Sequence, residues 1–256
     1  MKYYEDFVKC GCFTFDEALL LVGNENATLQ ILRDYVKKGY IAKVRKGLYV
    51  ALSLLDGEPV VNKFVIASKL SDTAVVSHHS AFEYYGYANQ VSYELMVSSR
   101  SRFRAFDFGG IHFERTAPTL SQGIVHGEDG VTVTDIERTV LDSINNFEHS
   151  MGFEELIQCI TAIPLLDENK MLRYLEEYNK CFLYQKTGFI FFMLQSEFGF
   201  SDEFLKECKR KSGSSSRYLV KGTQGGQTDF NNYWHLTMPK DYWNNITGGG
   251  DNNAII

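Results

Sequence analysis

The chain lacks the features that mark membrane proteins, disulfide frameworks and zinc ribbons. No apolar run approaches the ~18 residues of a membrane-spanning helix. The first residues, MKYYEDF, are acidic where a secretory signal peptide needs a basic region followed by an apolar one. The five cysteines are odd in number and include no C-x-x-C pair. We therefore expect a reduced, soluble, cytoplasmic protein that has no membrane partner.

The chain also lacks the common catalytic motifs. It contains no G-x-x-x-x-G-K-[ST] loop, G-x-S-x-G elbow, dinucleotide fingerprint or H-E-x-x-H pair. Adjacent residues on a helix point about 100° apart, so His78 and His79 cannot easily share one metal ion. We expect no catalytic residues, no metal and no cofactor. The alternative left open is a nuclease or metal-dependent hydrolase that uses His78, His79, His112 or His126.

The charge is unevenly distributed. The 26 Lys and Arg residues are outnumbered by 32 Asp and Glu residues, which gives a net charge of −6. Residues 28–47 nevertheless carry six basic side chains against the single acidic Asp34. A compact basic patch on an acidic body is the pattern expected of a small nucleic-acid-binding module.

The same region predicts two helices joined by a tight turn. Thr14 and Glu17 have the spacing of a capping box, and Gly23-Asn24 marks the end of the first helix. Asn26 is the expected N-cap of a second helix that runs through Lys38 and ends at Gly39.

A helical wheel gives the second helix an apolar face and a polar face. The apolar face comprises Leu29, Ile31, Leu32, Tyr35 and Val36. A hairpin with Arg45-Lys46-Gly47 at its tip follows. Amide and guanidinium side chains can bond base edges, and lysines can hold phosphates. The residues predicted to contact DNA are Asn26, Gln30, Arg33, Lys37, Lys43, Arg45 and Lys46.

These elements together predict a winged helix-turn-helix over residues 1–54. A winged helix that only contacts protein is the alternative, and the basic, polar outward face favours DNA. Because one such module contacts few phosphates, specific binding should need two copies on paired sites.

Residues 55–256 predict a larger mixed α/β domain whose C-terminal part is helical, so the fold class is α+β. Thr134 and Glu137 suggest a second capping box, and Arg138 stands one turn from Asp142, as in an intrahelical ion pair. The basic loop at 100–104 fits either a solvated turn or a phosphate contact. Cys159 and Cys181 are expected to be core thiols, and 248–253 a frayed tail.

Three stretches in this order resemble the AbiEi-type antitoxins, which are the transcriptional regulators of type IV (abortive infection) toxin–antitoxin systems. The first comprises ATLQIL at 27–32 and GYIAKVRKGLY at 39–49. The second is HHSAFEYYG at 78–86, and the third is VTVTDIERTVLD at 131–142. The resemblance covers about residues 13–145, and the last hundred residues resemble the family less closely.

The resemblance implies a repressor that binds inverted repeats in the operator of its own operon. It also implies an antitoxin that counteracts a nucleotidyltransferase-like toxin without forming a stable complex with it. Direct contact between the acidic body and the toxin stays open, and so does a third hypothesis, a regulator whose body senses a small molecule.

Overall fold

The computed structural model describes residues 2–127, 130–221 and 226–247, so the predicted frayed tail at 248–253 lies outside the described part. The chain forms two compact units. Unit 1 comprises residues 1–80, 92–118 and 124–134, and unit 2 comprises 81–91, 119–123 and 135–256. The predicted mixture of helices and sheets is confirmed. The predicted domain boundary after residue 54 falls inside unit 1 and stays a prediction. None of the helices in the described residues is long and apolar enough to cross a bilayer.

The N-terminal part of unit 1 packs three helices on a small antiparallel sheet. Its elements are α1 (Tyr4–Cys10), β1 (Cys12–Thr14), α2 (Phe15–Val22), α3 (Glu25–Lys37), β2 (Ile41–Arg45) and β3 (Leu48–Ala51). The strand order is β1-β3-β2. The Phe7 and Phe13 rings stack at 4.5 Å in the centre, and the Tyr35 ring meets Phe7 edge-on at 5.9 Å. Aromatic burial thus joins α1, β1 and α3 into one core.

The start of α2 confirms the predicted capping box. The Glu17 amide donates to the Thr14 hydroxyl at 3.2 Å, and the Thr14 amide donates to the Glu17 carboxylate at 2.7 Å. The predicted N-cap of α3 was wrong. Asn24 caps the helix by accepting from the Ala27 amide at 3.0 Å, so Asn26 lies inside the first turn. Gly23, with φ 82°, supplies the left-handed turn before it.

The apolar face of α3 is narrower than the wheel predicts. Leu32 and Tyr35 are buried and Ile31 is half-buried, but Leu29 and Val36 are more than a third exposed. The hydrophobic core of the N-terminal elements is small and covers only the middle of this apolar face. Thr28 is fully buried instead, with its hydroxyl donating to the Asn24 carbonyl at 2.8 Å.

The rest of unit 1 is a mixed sheet with short helices. Its elements are α4 (Lys63–Ser68), β4 (Val75–Val76), β5 (Glu94–Ser98), β6 (Phe106–Phe108), β7 (Ile111–Thr116), β8 (Ile124–His126) and β9 (Thr132–Thr134). The order β6-β7-β5-β4-β9-β8 combines two parallel pairs, β5 with β7 and β4 with β9, with three antiparallel ones. Helix α5 (His79–Tyr85) begins at the end of unit 1 and continues into unit 2.

Unit 2 is mainly helical, as expected. Its elements are α6 (Ile136–Ser150), α7 (Gly152–Thr161), α8 (Glu168–Tyr178), α9 (Cys181–Met193), α10 (Gln195–Phe198), α11 (Asp202–Ser212), β10 (Arg217–Tyr218), β11 (Thr228–Asn231), β12 (Leu236–Pro239) and α12 (Tyr242–Thr247). The predicted second capping box was wrong. Asp135 caps α6 by accepting from the Arg138 amide at 2.9 Å, while Thr134 ends β9. The ion pair of Arg138 with Asp142 is confirmed at 3.2 Å.

Helix α9 forms the centre of unit 2, and its residues 183–191 are all buried. A helix that is buried on every side has to accommodate its polar side chains within the core. The Gln185 amide does so by donating to the carbonyl of Trp234 at 2.6 Å, which ties the helix to the segment before β12. Cys159 is buried as predicted, whereas Cys181, at the exposed start of α9, is not the core thiol that its apolar neighbours suggested.

Candidate nucleic-acid interface

Four of the seven predicted contact residues lie along one face of α3. Asn26, Gln30, Arg33 and Lys37 follow each other at spacings of four, three and four residues, and all four are exposed. The capping interactions at Thr14 and Asn24 fix the start of both α2 and α3. The face is therefore held by a short turn between two capped helices.

Within this face the Gln30 side chain has a hydrogen-bond partner on the same helix. Its amide nitrogen donates to the Asp34 carboxylate at 3.1 Å. Asp34 is the acidic residue in the basic stretch 28–47. The bond orients the Gln30 amide and leaves its carbonyl oxygen free to accept.

The other three predicted residues lie on the hairpin of β2 and β3. Lys43 and Lys46 are exposed, and Arg45 is half-buried. The pairing of β2 with β3 shifts register between Lys43 and Arg45. Such an irregularity bends the strand and redirects its side chains. Gly47, with φ 80°, then closes the turn.

The structure connects the basic loop at 100–104 with the hairpin of β2 and β3, a contact that the sequence did not show. The Arg45 guanidinium lies 5.3 Å from the centre of the Phe103 ring, within cation–π distance. Phe103 is supported in turn by Phe106 at 6.4 Å, which stacks on Phe113 at 5.1 Å. A row of aromatic rings thus connects the six-stranded sheet with the tip of the hairpin.

That loop carries three further cations. Its base is held by the Arg115 side chain, which donates to the carbonyls of Ser99 at 2.9 Å and Ser101 at 3.0 Å. The arginines of this loop, Arg100, Arg102 and Arg104, are all exposed. The sequence shows the loop's charge, but only the fold shows that Phe103 brings it to Arg45.

Helix α2 is tied to the rest of unit 1 by a charged contact. The Lys69 ammonium lies 2.7 Å from the Glu17 carboxylate that also completes the capping box. Burial by itself would raise the pKa of Glu17, but the bonds from Lys69 and Thr14 outweigh burial and hold it below its ordinary value. The carboxylate therefore stays charged at neutral pH and anchors the start of α2.

Two histidines of the enzyme alternative, His112 and His126, lie on strands of the sheet in unit 1 and are far apart. His112 on β7 pairs with Asp107 at 2.8 Å, and His126 on β8 lies 3.1 Å from the Thr132 hydroxyl. β7 and β8 are four positions apart in the strand order, which places them about 19 Å apart at the usual strand spacing. The hydrogen bond with Asp107 raises the pKa of His112, whose ring is exposed. Each of these two rings is thus engaged locally.

Comparison with known proteins gives a likeness to a solved structure. No family model matches the chain, and no curated protein matches it. Among solved structures, the chain is similar to the RV2827C protein from Mycobacterium tuberculosis. The TM-score is 0.63 at 10% sequence identity, over 92% of this chain and 89% of that one. A likeness at this level of identity shows that the two chains share a fold.

Proposed function

We propose that residues 1–54 form a winged helix-turn-helix that binds double-stranded operator DNA, and that the chain represses its own operon. The observation that carries the proposal is the exposed face of Asn26, Gln30, Arg33 and Lys37 on a helix that follows a capped helix and a tight turn. Side chains of these types can bond base edges and phosphates from the major groove.

The hairpin supports the proposal as a wing beside that helix. Lys43, Arg45 and Lys46 would contact the sugar–phosphate backbone, and the loop joined to Arg45 through Phe103 would extend the basic surface. The unit 1 surface then combines a helix for base contacts with two loops for phosphate contacts. Two copies of the chain on inverted repeats would provide the area that specific binding needs.

We further propose, from the resemblance of three stretches to AbiEi-type antitoxins, that the chain counteracts a nucleotidyltransferase-like toxin encoded beside it. Growth of cells that express such a neighbouring reading frame tests this half. The wild-type chain and an Arg33→Ala/Lys46→Ala double variant should both restore growth if the larger domain carries the antitoxin function. If neither restores growth, the antitoxin function is refuted and only the repressor function remains.

Fluorescence anisotropy with the chain's own upstream DNA tests the repressor half. Arg33→Ala should cost about 1–3 kcal/mol on the operator and relax its base preference, as expected of a base contact. Lys46→Ala should weaken all sequences alike and reduce the salt slope by about one. Lys206→Ala removes an exposed lysine from α11 in unit 2 and serves as the charge-matched control. Equal effects of Arg33→Ala on every sequence would remove that residue from base recognition.

A further inference from the structure

Unit 2 contains a cavity whose lining is unusually basic for an acidic chain. It has a volume of about 390 Å³ and lies between the end of α6, the start of α9 and the strand β10. Its charged lining residues are Lys180, Lys186, Arg217, Lys221 and Glu148. The Glu148 carboxylate already pairs with Lys221 at 2.8 Å. Three cations of the described lining thus remain without a carboxylate of their own in the cavity.

Lys186 is the buried cation of this set, and it is held by backbone carbonyls rather than by an acid. Its side chain comes from the fully buried stretch of α9 and is only 5% exposed. The ammonium donates to the carbonyls of Ile144 and Asn145, the latter at 3.1 Å. The non-helical backbone at Asn146 interrupts α6 directly after these carbonyls. The kink therefore explains how two backbone acceptors become available to a lysine in the core.

A buried ammonium without a carboxylate costs free energy. Burial lowers the pKa of Lys186 to about 8, with Glu148 opposing this shift and Lys180 and Lys221 adding to it. Within the described residues, no carboxylate comes within 4.0 Å of its ammonium. An anion in the cavity would supply the missing counter-charge.

Aromatic rings complete the lining. The Lys186 ammonium lies 5.1 Å from the centre of the Phe182 ring, and the Arg217 guanidinium lies 5.7 Å from the same ring. Tyr218 follows Arg217 on β10 and is 46% exposed. Guanidinium and phenol groups at the rim offer flat surfaces on which an organic ring can stack. The volume lies in the lower part of the range of small-molecule pockets.

We infer that this basic cavity binds a small organic phosphate, with its phosphate beside Lys180, Lys186 and Arg217 and its ring beside Tyr218. A phosphomonoester dianion meets three cations to which the described residues supply no carboxylate partner, and the size of the cavity accommodates a nucleoside monophosphate. The site lies wholly in unit 2 and uses none of the residues proposed to bind DNA.

Isothermal titration of the full chain with AMP, inorganic phosphate and adenosine tests this inference. We expect saturable binding of AMP that weakens as salt is raised, weaker binding of inorganic phosphate, and no binding of adenosine. A Lys180→Gln/Arg217→Gln variant should weaken AMP binding at least tenfold. Both side chains are exposed, so the variant should fold, which its circular dichroism would verify.

Lys206→Gln, which removes an exposed lysine outside the cavity lining, is the matched control and should bind AMP as the wild type does. Three results would overturn the inference: no heat with either AMP or phosphate, adenosine binding as tightly as AMP, or a double variant that binds like the wild type. The anisotropy assay on operator DNA is independent of these outcomes, so failure here leaves the proposed repressor untouched.

Discussion

The buried ion pair of α6 should be far more sensitive to the loss of one partner than to the loss of both. The Arg138 side chain is 1% exposed and that of Asp142 7%. The guanidinium also donates to the Gln122 carbonyl at 2.5 Å, and Asp142 accepts from the Tyr178 hydroxyl. Asp142→Leu leaves a charged guanidinium in the core without its carboxylate. Breaking one side of a buried pair typically costs about 3–5 kcal/mol.

The double variant Arg138→Met/Asp142→Leu removes both charges and keeps most of the volume. It should recover much of that loss, because apolar replacements for a buried pair are often neutral or stabilising. The remaining cost comes from the Tyr178 hydroxyl, which loses its acceptor, at about 1–3 kcal/mol. If Arg138→Met alone costs as much as Asp142→Leu, the coupling energy between the two substitutions should be about 3 kcal/mol or more.

An exposed ion pair on α11 serves as the control for the buried one. Arg210 contacts Glu207 at 2.6 Å, one turn away on α11, but the Arg210 side chain is 65% exposed. Arg210→Met and Glu207→Leu should leave the unfolding midpoint almost unchanged, although this contact is shorter than the buried one. Urea unfolding followed by circular dichroism measures, for each pair, the two single variants and the double variant. Equal sensitivity of the two pairs would refute the argument that burial decides the effect.

Three other variants test separate parts of the structure. The stability of the wild type relative to Lys186→Met should rise by about 1.5 kcal/mol between pH 8 and 9.5. This follows because the pKa of Lys186 in the folded state is about 8, so the folded chain loses the proton in that range while the unfolded chain keeps it; a flat difference would contradict the lowered pKa. Gly188→Ala should destabilise by about 2 kcal/mol despite its better helix propensity, since the new Cβ would lie 2.2 Å from the Trp234 ring, and a raised melting temperature would exclude that clash. Phe103→Ala should weaken DNA binding about two- to fivefold by releasing Arg45, whereas Phe103→Tyr should preserve it; unchanged affinity would mean that the loop has no part in the interface.

Local signals in the sequence predicted the elements well and their ends less well. The Thr14 capping box was confirmed because both of its partners lie within four residues. At α3 the sequence offers Asn24 and Asn26, and only the three-dimensional turn shows that Asn24 meets the Ala27 amide. The same ambiguity of neighbouring capping residues misplaced the start of α6, where Asp135 takes the role expected of Thr134.

Contacts between distant segments were beyond the reach of the sequence. The loop at 100–104 was visible as a run of arginines, but its approach to Arg45 depends on the packing of β6 and β7. The basic cavity combines residues from three segments between 145 and 221, with no local pattern that would connect them. A buried lysine also leaves no local signature, because α9 looks like any apolar helix until its neighbours are known.

The most direct test of the central proposal is the affinity of the full chain for its own upstream DNA at two salt concentrations, beside the Arg33→Ala/Lys46→Ala double variant. We expect tight, sequence-selective binding that falls with salt and with the double substitution, but not with Lys206→Ala. Equal affinity for upstream and unrelated DNA, or binding that ignores Arg33 and Lys46, would contradict it and leave the N-terminal helices as a surface for protein contact.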